Sequence, residues 1–216
     1  MLLEYRPPQS PYLDILYQDD ALLVLNKPSG LLSVPGKALE HQDSLQWRVQ
    51  RVFPTARTVH RLDMATSGLL VMALTLDAQR ELNWQFERRQ TQKHYIARLE
   101  GRLLTQAGAV DLPLICDWPN RPKQMVCFSR GKPAQTLFEN IGYEENATRV
   151  RLTPVTGRSH QLRVHMQWLG HPICGDKFYG SAPDEKTERL QLHAAMLGLR
   201  HPQTGQWLEF RSPAPF

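Results

Sequence analysis

The amino-acid sequence predicts an α+β fold built on a mostly antiparallel mixed sheet. The chain has 216 residues, of which 41% are hydrophobic and 22% are charged. This length and composition fit one globular domain and exclude disordered, collagen-like and coiled-coil proteins. Most of the apolar runs have the length of a strand, and the helical patterns are few. Strands mixed with only a few helices favour an α+β architecture over a βαβ wrap.

The first half of the chain predicts a hairpin, a helix and a central strand. Residues 1–11 contain three prolines among polar residues and predict a loose N-terminal arm. Two apolar runs, Tyr12–Tyr17 and Ala21–Asn26, flank a Gln-Asp-Asp turn and are typical of a β-hairpin. A helix is expected over Ser44–Val52. The near-continuous apolar run Ser67–Leu74 is typical of a strand that is buried on both faces.

The second half of the chain predicts mostly strands, with a helix at two places. Thr75 can cap the first of these helices, which presents Ala78, Leu82 and Phe86 on one stripe. The second helix is expected over Ser159–Leu169. Strands are expected at Lys93–Leu99, Ala109–Pro113, Gln124–Phe128, Gln135–Tyr143, Thr148–Pro154, Gln191–Leu199 and Gln206–Phe210.

Membrane, secreted and metal-binding proteins do not fit this sequence. No apolar run approaches the roughly 20 residues that cross a bilayer, and the N-terminus lacks the apolar core of a signal peptide. We therefore expect a cytoplasmic protein that does not enter membranes. Cys116, Cys127 and Cys174 are far apart and predict buried free thiols, not disulfides. The eight histidines have no metal-ligand spacing, so no metal is expected.

The positive charge is concentrated in two stretches. The formal net charge is +5, and residues 118–138 and 147–175 each contain four Lys or Arg residues and no acid. A local basic excess on an otherwise ordinary protein indicates a polyanionic partner, most often a nucleic acid. A solvated basic surface without a partner is an equally simple interpretation of charge alone.

One segment places a carboxylate where catalysis is often found. His60–Val71 reads H-R-L-D-M-A-T-S-G-L-L-V, so Asp63 lies in a polar turn directly before a buried strand. Catalytic groups are often carried on loops that rigid strands hold in place. The alternative is an Asp that only caps its own turn.

Two further segments combine polar, aromatic and basic residues. Lys93–Gly101 contains Tyr95 and Ala97 on one strand face, where a plain core position is the alternative. Thr156–His165 reads T-G-R-S-H-Q-L-R-V-H, and Gly170–Asp176 follows it closely. A basic helix face in solvent would be the simple interpretation of this third segment.

Together these segments resemble the motifs of the RluA family of pseudouridine synthases. The pattern H-R-L-D-x-x-T-S-G-L-L-V is complete at His60–Val71, and Y-x-A-x-x-x-G is complete at Tyr95–Gly101. The pattern T-G-R-x-H-Q-L-R-x-H occupies Thr156–His165, and G-H-P-I-x-G-D occupies Gly170–Asp176. The N-K-P-x-G-L block at Asn26–Leu31 also matches.

The resemblance implies a fold and a domain organisation. It implies a catalytic domain over residues 12–216, with two lobes, helices packed outside the sheet and a central active-site cleft. Residues 112–124 resemble the dual-specificity members of the family, which act on 23S rRNA and tRNA. Like those members, the chain is expected to lack an N-terminal S4 RNA-binding domain.

The resemblance also implies the residues that carry the reaction. Asp63 matches the catalytic Asp, a carboxylate that can act as a nucleophile on the sugar or the base. Arg163 matches the Arg that pairs with it, and such a cation typically lowers the pKa of an Asp by about 1–3 units. Tyr95 matches the Tyr that stacks on the target base, and its hydroxyl is a candidate for moving the C5 proton. No cofactor is implied.

The remaining implied contacts concern RNA binding. The target uridine must leave its stack, and Arg61 could fill the gap while Leu162 forms an apolar wall. The other positions expected to bind substrate are His60, Thr66, Arg121, Lys123 and Arg158. The implied substrates are hairpin loops of 23S rRNA and of tRNA, at position 32 of the anticodon stem-loop. We expect no DNA partner and a monomer.

Three alternatives remain open from the sequence. A relative that acts on a single other tRNA or rRNA uridine is one. A nucleoside glycosidase would normally need a second carboxylate, and the segments offer only Glu100 and Asp176. An RNA-binding module without catalysis is the third, although an Asp63 carboxylate beside phosphates would then repel the ligand.

Overall fold

The computed structural model describes residues 5–181 and 189–216. These residues divide into two compact units. Unit 1 comprises Met1–Gln92 with Ala194–Pro215, and unit 2 comprises Lys93–His193 with Phe216. Two units of mixed strands and helices agree with the predicted two-lobed α+β fold.

The secondary structure is mostly strands. In chain order the strands and α-helices are β1 (Ile15–Gln18), β2 (Leu22–Lys27), α1 (Leu45–Gln50), β3 (Arg57–Thr58), β4 (Ser67–Ala73), α2 (Leu76–Glu87), β5 (Gln92–Glu100), β6 (Ala107–Asp111), β7 (Leu114–Cys116), β8 (Gln124–Val126), β9 (Gln135–Glu144), β10 (Ala147–Pro154), α3 (Gln161–Trp168), β11 (Leu192–Arg200) and β12 (Trp207–Arg211). Short 3-10 helices occupy Leu39–His41 and Trp118–Asn120.

Unit 1 is a sheet covered by α2. Its strand order is β1-β2-β4-β11, with β3 on β4 and β12 on β11. All residues of β4 are buried, as its uninterrupted apolar sequence predicts. The Thr75 side chain accepts a hydrogen bond from the backbone N–H of Ala78, 3.1 Å away, which confirms the predicted cap. Ala78 and Leu82 of α2 then pack in one core with Val71 of β4.

Unit 2 contains an antiparallel sheet and a separate hairpin. The sheet order is β5-β10-β9-β6, and β7 pairs with β8. The helix α3 packs against β8, β9 and β10. Its Val164 lies in a small core with Leu114, Ala134 and Tyr179. This core joins the hairpin to the helix that follows the Thr156–Gly157 turn.

Two expectations need adjustment. From Tyr5 onward the N-terminal arm is anchored, because the Tyr5 hydroxyl donates to the Asp43 carbonyl at 2.6 Å and accepts from the Leu32 N–H at 3.1 Å. The three thiols, predicted as buried, are each partly exposed, because Cys116 ends the three-residue strand β7 and the other two lie in loops. Within the described ranges, no helix is long and apolar enough to cross a membrane.

Candidate active site

Asp63 lies in unit 1, on the loop that joins β3 to β4. The loop ends at β4, which is buried throughout, while the Asp63 side chain itself is partly exposed. The Thr66 N–H donates to the Asp63 backbone carbonyl at 3.1 Å and closes a tight turn over residues 63–66. The predicted placement of Asp63, in a polar turn before a buried strand, is confirmed.

Residues 27–33 hold this turn on both sides of Asp63. The Ser33 hydroxyl donates to the Leu62 carbonyl at 2.7 Å and accepts from the Leu62 N–H at 3.1 Å. On the other side, the Ser29 hydroxyl donates to the Ala65 carbonyl at 2.7 Å. These contacts fix the backbone before and after Asp63 without using its carboxylate.

A buried lysine adds to the same support. Lys27 is 0% exposed, and its ammonium donates to the carbonyls of Pro28, Leu31 and Met64 at 2.7–3.0 Å. The Gly30 N–H also donates to the Met64 carbonyl, at 2.9 Å. A buried ammonium is tolerated where several carbonyls replace its water shell. The N-K-P-x-G-L block is therefore part of the framework of the Asp63 turn.

Gly68, the second residue of β4, lies close to the backbone of Ala194 in β11. Its φ is +111°, and a Cβ there would lie 2.4 Å from the Ala194 carbonyl oxygen. A residue with a side chain would therefore push β4 away from β11 and move the end of the Asp63 loop.

The other predicted residues of this loop have different surroundings. His60 Nε2 accepts a hydrogen bond from the Val71 N–H at 3.1 Å, and its ring stacks on Phe86 at 4.5 Å. That nitrogen carries no proton, so His60 braces the loop as a neutral ring. The Arg61 side chain is exposed, whereas Thr66 is buried.

Arg163 lies in unit 2, in a buried ion pair. Its Nε and Nη2 donate to the two carboxylate oxygens of Asp176, each at 2.7 Å. The side chains are 5% and 0% exposed. The N–H groups of Phe178 and Tyr179 donate to the same carboxylate. Asp176, which the sequence left without a role, therefore fixes the plane of the Arg163 guanidinium.

Tyr179 connects three segments of unit 2. Its ring lies 5.1 Å from the Arg163 guanidinium carbon. Its hydroxyl contacts His160 Nδ1 at 2.8 Å and accepts from the Gln124 N–H at 2.7 Å. His160 precedes α3 in the left-handed conformation, with φ 52°. The two motifs around Arg163 are thus tied to the β7–β8 hairpin.

The T-G-R-x-H-Q-L-R-x-H motif also supports its own helix. The side-chain amide oxygen (Oε1) of Gln161 accepts from the Thr156 hydroxyl and from the Arg158 N–H. His165 Nδ1 contacts the Thr136 hydroxyl, and its Nε2 contacts a backbone carbonyl. Burial lowers the pKa of His165, so this ring is neutral near pH 7. These polar side chains are buried, which excludes a helix face that simply rests in solvent.

Tyr95 lies on β5 of unit 2. It stands opposite Leu152 in the register with β10 and is partly exposed. Ala97, on the same strand face, is fully buried. Lys93 is the next residue of that face, and burial lowers the pKa of its ammonium. The strand therefore sets Tyr95 at the edge of a buried face.

The remaining predicted residues are also in unit 2. Arg121 is exposed and lies over the Trp118 ring, 4.1 Å from its centroid. Lys123 is partly exposed, at the start of the β8 strand of the hairpin. Arg158 is exposed, and its Nε donates to a backbone carbonyl. Leu162 is buried beside Arg163 on α3.

Within the described chain, no group of three or more His, Cys, Asp or Glu residues is arranged to hold a metal ion.

The chain is similar to known proteins in sequence and in fold. The family described as RNA pseudouridylate synthase matches residues 21–168. The chain is 59% identical over 215 residues, 98% of each chain, to the dual-specificity RNA pseudouridine synthase RluA of Escherichia coli K12. It is 55% identical over 218 residues to the RluA of Pasteurella multocida, covering 100% and 99% of the two chains.

A solved structure gives the same result. Human RNA pseudouridylate synthase domain containing 1 superposes with a TM-score of 0.80 at 30% identity, over 98% of this chain and 87% of that one. The motif around Asp63 lies inside the matched residues. The chain therefore belongs to the RNA pseudouridylate synthase family and is an isomerase that converts uridine in RNA to pseudouridine.

Proposed function

We propose that the chain is a dual-specificity enzyme, which modifies hairpin loops of both 23S rRNA and tRNA, with position 32 of the anticodon stem-loop as the tRNA target. The identity of 59% to a relative named for dual specificity supports this assignment. The observation that carries the catalytic part of the proposal is the Asp63 turn, in which Ser29 and Ser33 fix the backbone on both sides of Asp63. We propose residues 12–216 as the catalytic domain of a cytoplasmic monomer that acts on RNA and not on DNA.

The chemistry needs a nucleophile and a place for the base to turn. The N1–C1′ bond breaks, the base rotates, C5 joins C1′, and the proton on C5 is exchanged for one on N1. This rearrangement has no net redox change, so we propose no cofactor. We assign Asp63 as the nucleophile that holds the sugar or the base while the first bond is broken. Its fixed backbone keeps the carboxylate oriented before substrate arrives.

The other roles follow from the matched motifs. We propose that Tyr95 stacks on the extruded uracil and moves the C5 proton. Arg163 supplies the cation that favours an ionised catalytic carboxylate. Arg61, exposed beside Asp63, takes the place of the extruded base. Leu162 lines the base pocket, since its apolar side chain is already withdrawn from water.

Phosphate contacts supply most of the RNA affinity in this proposal. Arg121, Lys123 and Arg158 are exposed or partly exposed, and basic side chains of this kind bind phosphates without reading sequence. We also propose His60 and Thr66, which lie on the Asp63 loop, as substrate-binding residues. Specific reading of RNA is easiest in loops whose bases can splay out.

Removing the Ser33 hydroxyl tests the Asp63 support. Ser33→Ala loses both hydrogen bonds to Leu62 and is expected to lower kcat about 10–100-fold with little change in KM, because a displacement of about 1 Å can cost that much. Thr75→Ala is the matched control: it removes a hydroxyl that caps α2, beyond the far end of β4 from Asp63. Equal losses of kcat in the two variants, measured by tritium release from 5-tritiated uridine RNA, would contradict a positioning role.

The substrate assignment is tested with short RNAs. We expect an isolated anticodon stem-loop and the 23S rRNA hairpin each to react nearly as well as the full RNA. Activity should fall steeply between about 50 and 200 mM salt, because phosphate contacts release counterions. If only one of the two hairpins reacts, the enzyme is a single-substrate relative. If intact tRNA reacts and its stem-loop is inert, recognition extends beyond the hairpin.

A further inference from the structure

The two acid-free basic stretches meet at a pair of exposed aromatic rings in unit 2. Phe128 belongs to residues 118–138 and Trp168 to residues 147–175, the stretches without Asp or Glu. The two rings pack edge to face with centroids 6.4 Å apart. Phe128 nevertheless remains 72% exposed and Trp168 57% exposed. The contact between them therefore leaves most of their faces in water.

The Phe128 ring is displayed on an ordered turn. The N–H of Cys127 donates to the Pro113 carbonyl at 2.9 Å, and the N–H of Gly131 donates to the Cys127 carbonyl at 2.8 Å. A Cβ at Gly131 would lie 2.4 Å from that same carbonyl oxygen. Lys132 then exchanges backbone hydrogen bonds with Leu114 in both directions. The exposure of Phe128 is thus built into the backbone of unit 2.

Trp168 is also part of an ordered element of unit 2. It is the last residue of α3, and the same helix buries Arg163 against Asp176. Side by side, the two rings form a contiguous exposed apolar patch, and contiguous patches, unlike isolated apolar side chains, can mark a contact surface.

The charge around the rings indicates the kind of partner. Arg130 is two residues from Phe128 and Lys132 lies at the end of the same turn, while Arg158 donates to the Pro133 carbonyl next to it. Basic side chains interleaved with aromatic rings are typical of surfaces that bind single-stranded nucleic acid, where bases stack on the rings and the cations meet phosphates.

An exposed tryptophan elsewhere has the opposite surroundings. Trp84 of α2 is 45% exposed, and it lines a shallow depression with Asp77, Arg80 and Glu81. Carboxylates there would repel RNA. Trp84 is therefore a control of similar size and exposure that lacks the basic setting.

We propose that Phe128 and Trp168 form a stacking surface for unpaired nucleotides of the substrate RNA other than the target uridine. The inference rests on the proposed function, because it takes a hairpin loop as the substrate. A loop that is opened to extrude one base leaves neighbouring bases unstacked. The two rings would receive such bases and compensate the lost stacking. They contribute to affinity and do not touch the reacting atoms.

The test separates binding from turnover with alanine variants. Phe128→Ala/Trp168→Ala is expected to raise KM for the anticodon stem-loop about 10-fold, equivalent to ~1.4 kcal/mol, with kcat unchanged. Trp84→Ala should leave both parameters at the wild-type values. Addition of the stem-loop should quench the fluorescence contributed by Trp168, taken as the difference between wild type and Trp168→Phe. An unchanged KM in the double alanine variant, or no quenching, overturns the proposal.

Leucine variants distinguish stacking from simple apolar contact. Phe128→Leu/Trp168→Leu keeps apolar area but has no aromatic face, so it should behave like the alanine pair if RNA bases stack there. If the leucine pair keeps the wild-type KM, apolar contact area and not base stacking accounts for the role of the surface, and the proposal is wrong. Wild-type protein that fails to modify any stem-loop would instead contradict the proposed function, which these variants leave untouched.

Discussion

Asp63→Asn is expected to abolish pseudouridine formation while the protein folds and binds RNA normally. An amide oxygen is a far weaker nucleophile than a carboxylate, so turnover should fall by at least roughly 10³-fold, since removing an enzyme nucleophile can cost as much as about 10⁶-fold. The fold should persist because the turn is fixed through main-chain groups of residues 62, 64 and 65. RNA affinity should stay equal or rise, since one negative charge is lost.

Tritium release from 5-tritiated uridine RNA measures this loss directly. Asp77→Asn is the control, because it removes the same charge from unit 1 at a side chain that is 92% exposed. It should retain full activity. Turnover of Asp63→Asn at even a few per cent of the wild-type rate would remove Asp63 as the essential group.

Most of the strands and helices could be predicted from the sequence because they have strong local patterns. β4 is an unbroken apolar run, and α2 has both a capping residue and an apolar stripe, so their positions follow from local rules. β3 has two residues and β7 has three, too few to show any period. These short strands are defined by their pairing, β3 with β4 and β7 with β8, which a local pattern does not record.

The candidate catalytic side chains could be proposed from the sequence, whereas the contacts that support them could not. Asp63, Tyr95 and Arg163 stand in dense motifs, so a resemblance identifies them from residue letters alone. The Ser33 contacts reach across 29 positions of the chain, and no local pattern records a hydrogen bond of that range. Asp176 is the last residue of the G-H-P-I-x-G-D motif, yet only the folded chain shows that its carboxylate binds the Arg163 guanidinium.

The ion pair with Asp176 changes how the stability of an Arg163 variant is interpreted. The pairing of Arg163 with Asp63 is implied by the motifs and stays a prediction, whereas the pairing with Asp176 is observed within unit 2. Any loss of stability on removing the guanidinium therefore includes the cost of a buried Asp176 carboxylate without its cation.

Arg163→Met is expected to destabilise the protein by about 3–5 kcal/mol, the usual effect of removing one member of a buried ion pair. The methionine keeps the aliphatic stem, so the loss of stability measures the removal of the positive charge and not the opening of a cavity. The Phe178 and Tyr179 N–H groups remain on Asp176, but neither carries a positive charge. Urea unfolding followed by circular dichroism gives the free energy of unfolding.

Double variants then show which carboxylate, that of Asp176 or that of Asp63, accounts for the loss of unfolding free energy in Arg163→Met. Arg163→Met/Asp176→Asn should be less destabilised than the sum of its single variants, since the second change removes the uncompensated charge. Arg163→Met/Asp63→Asn applies the same measurement to the pairing that the motifs imply, and coupling there would support Arg163 as the cation of the catalytic carboxylate. Strict additivity with Asp176 would contradict the buried pair, because two side chains that share two hydrogen bonds at 2.7 Å cannot act independently.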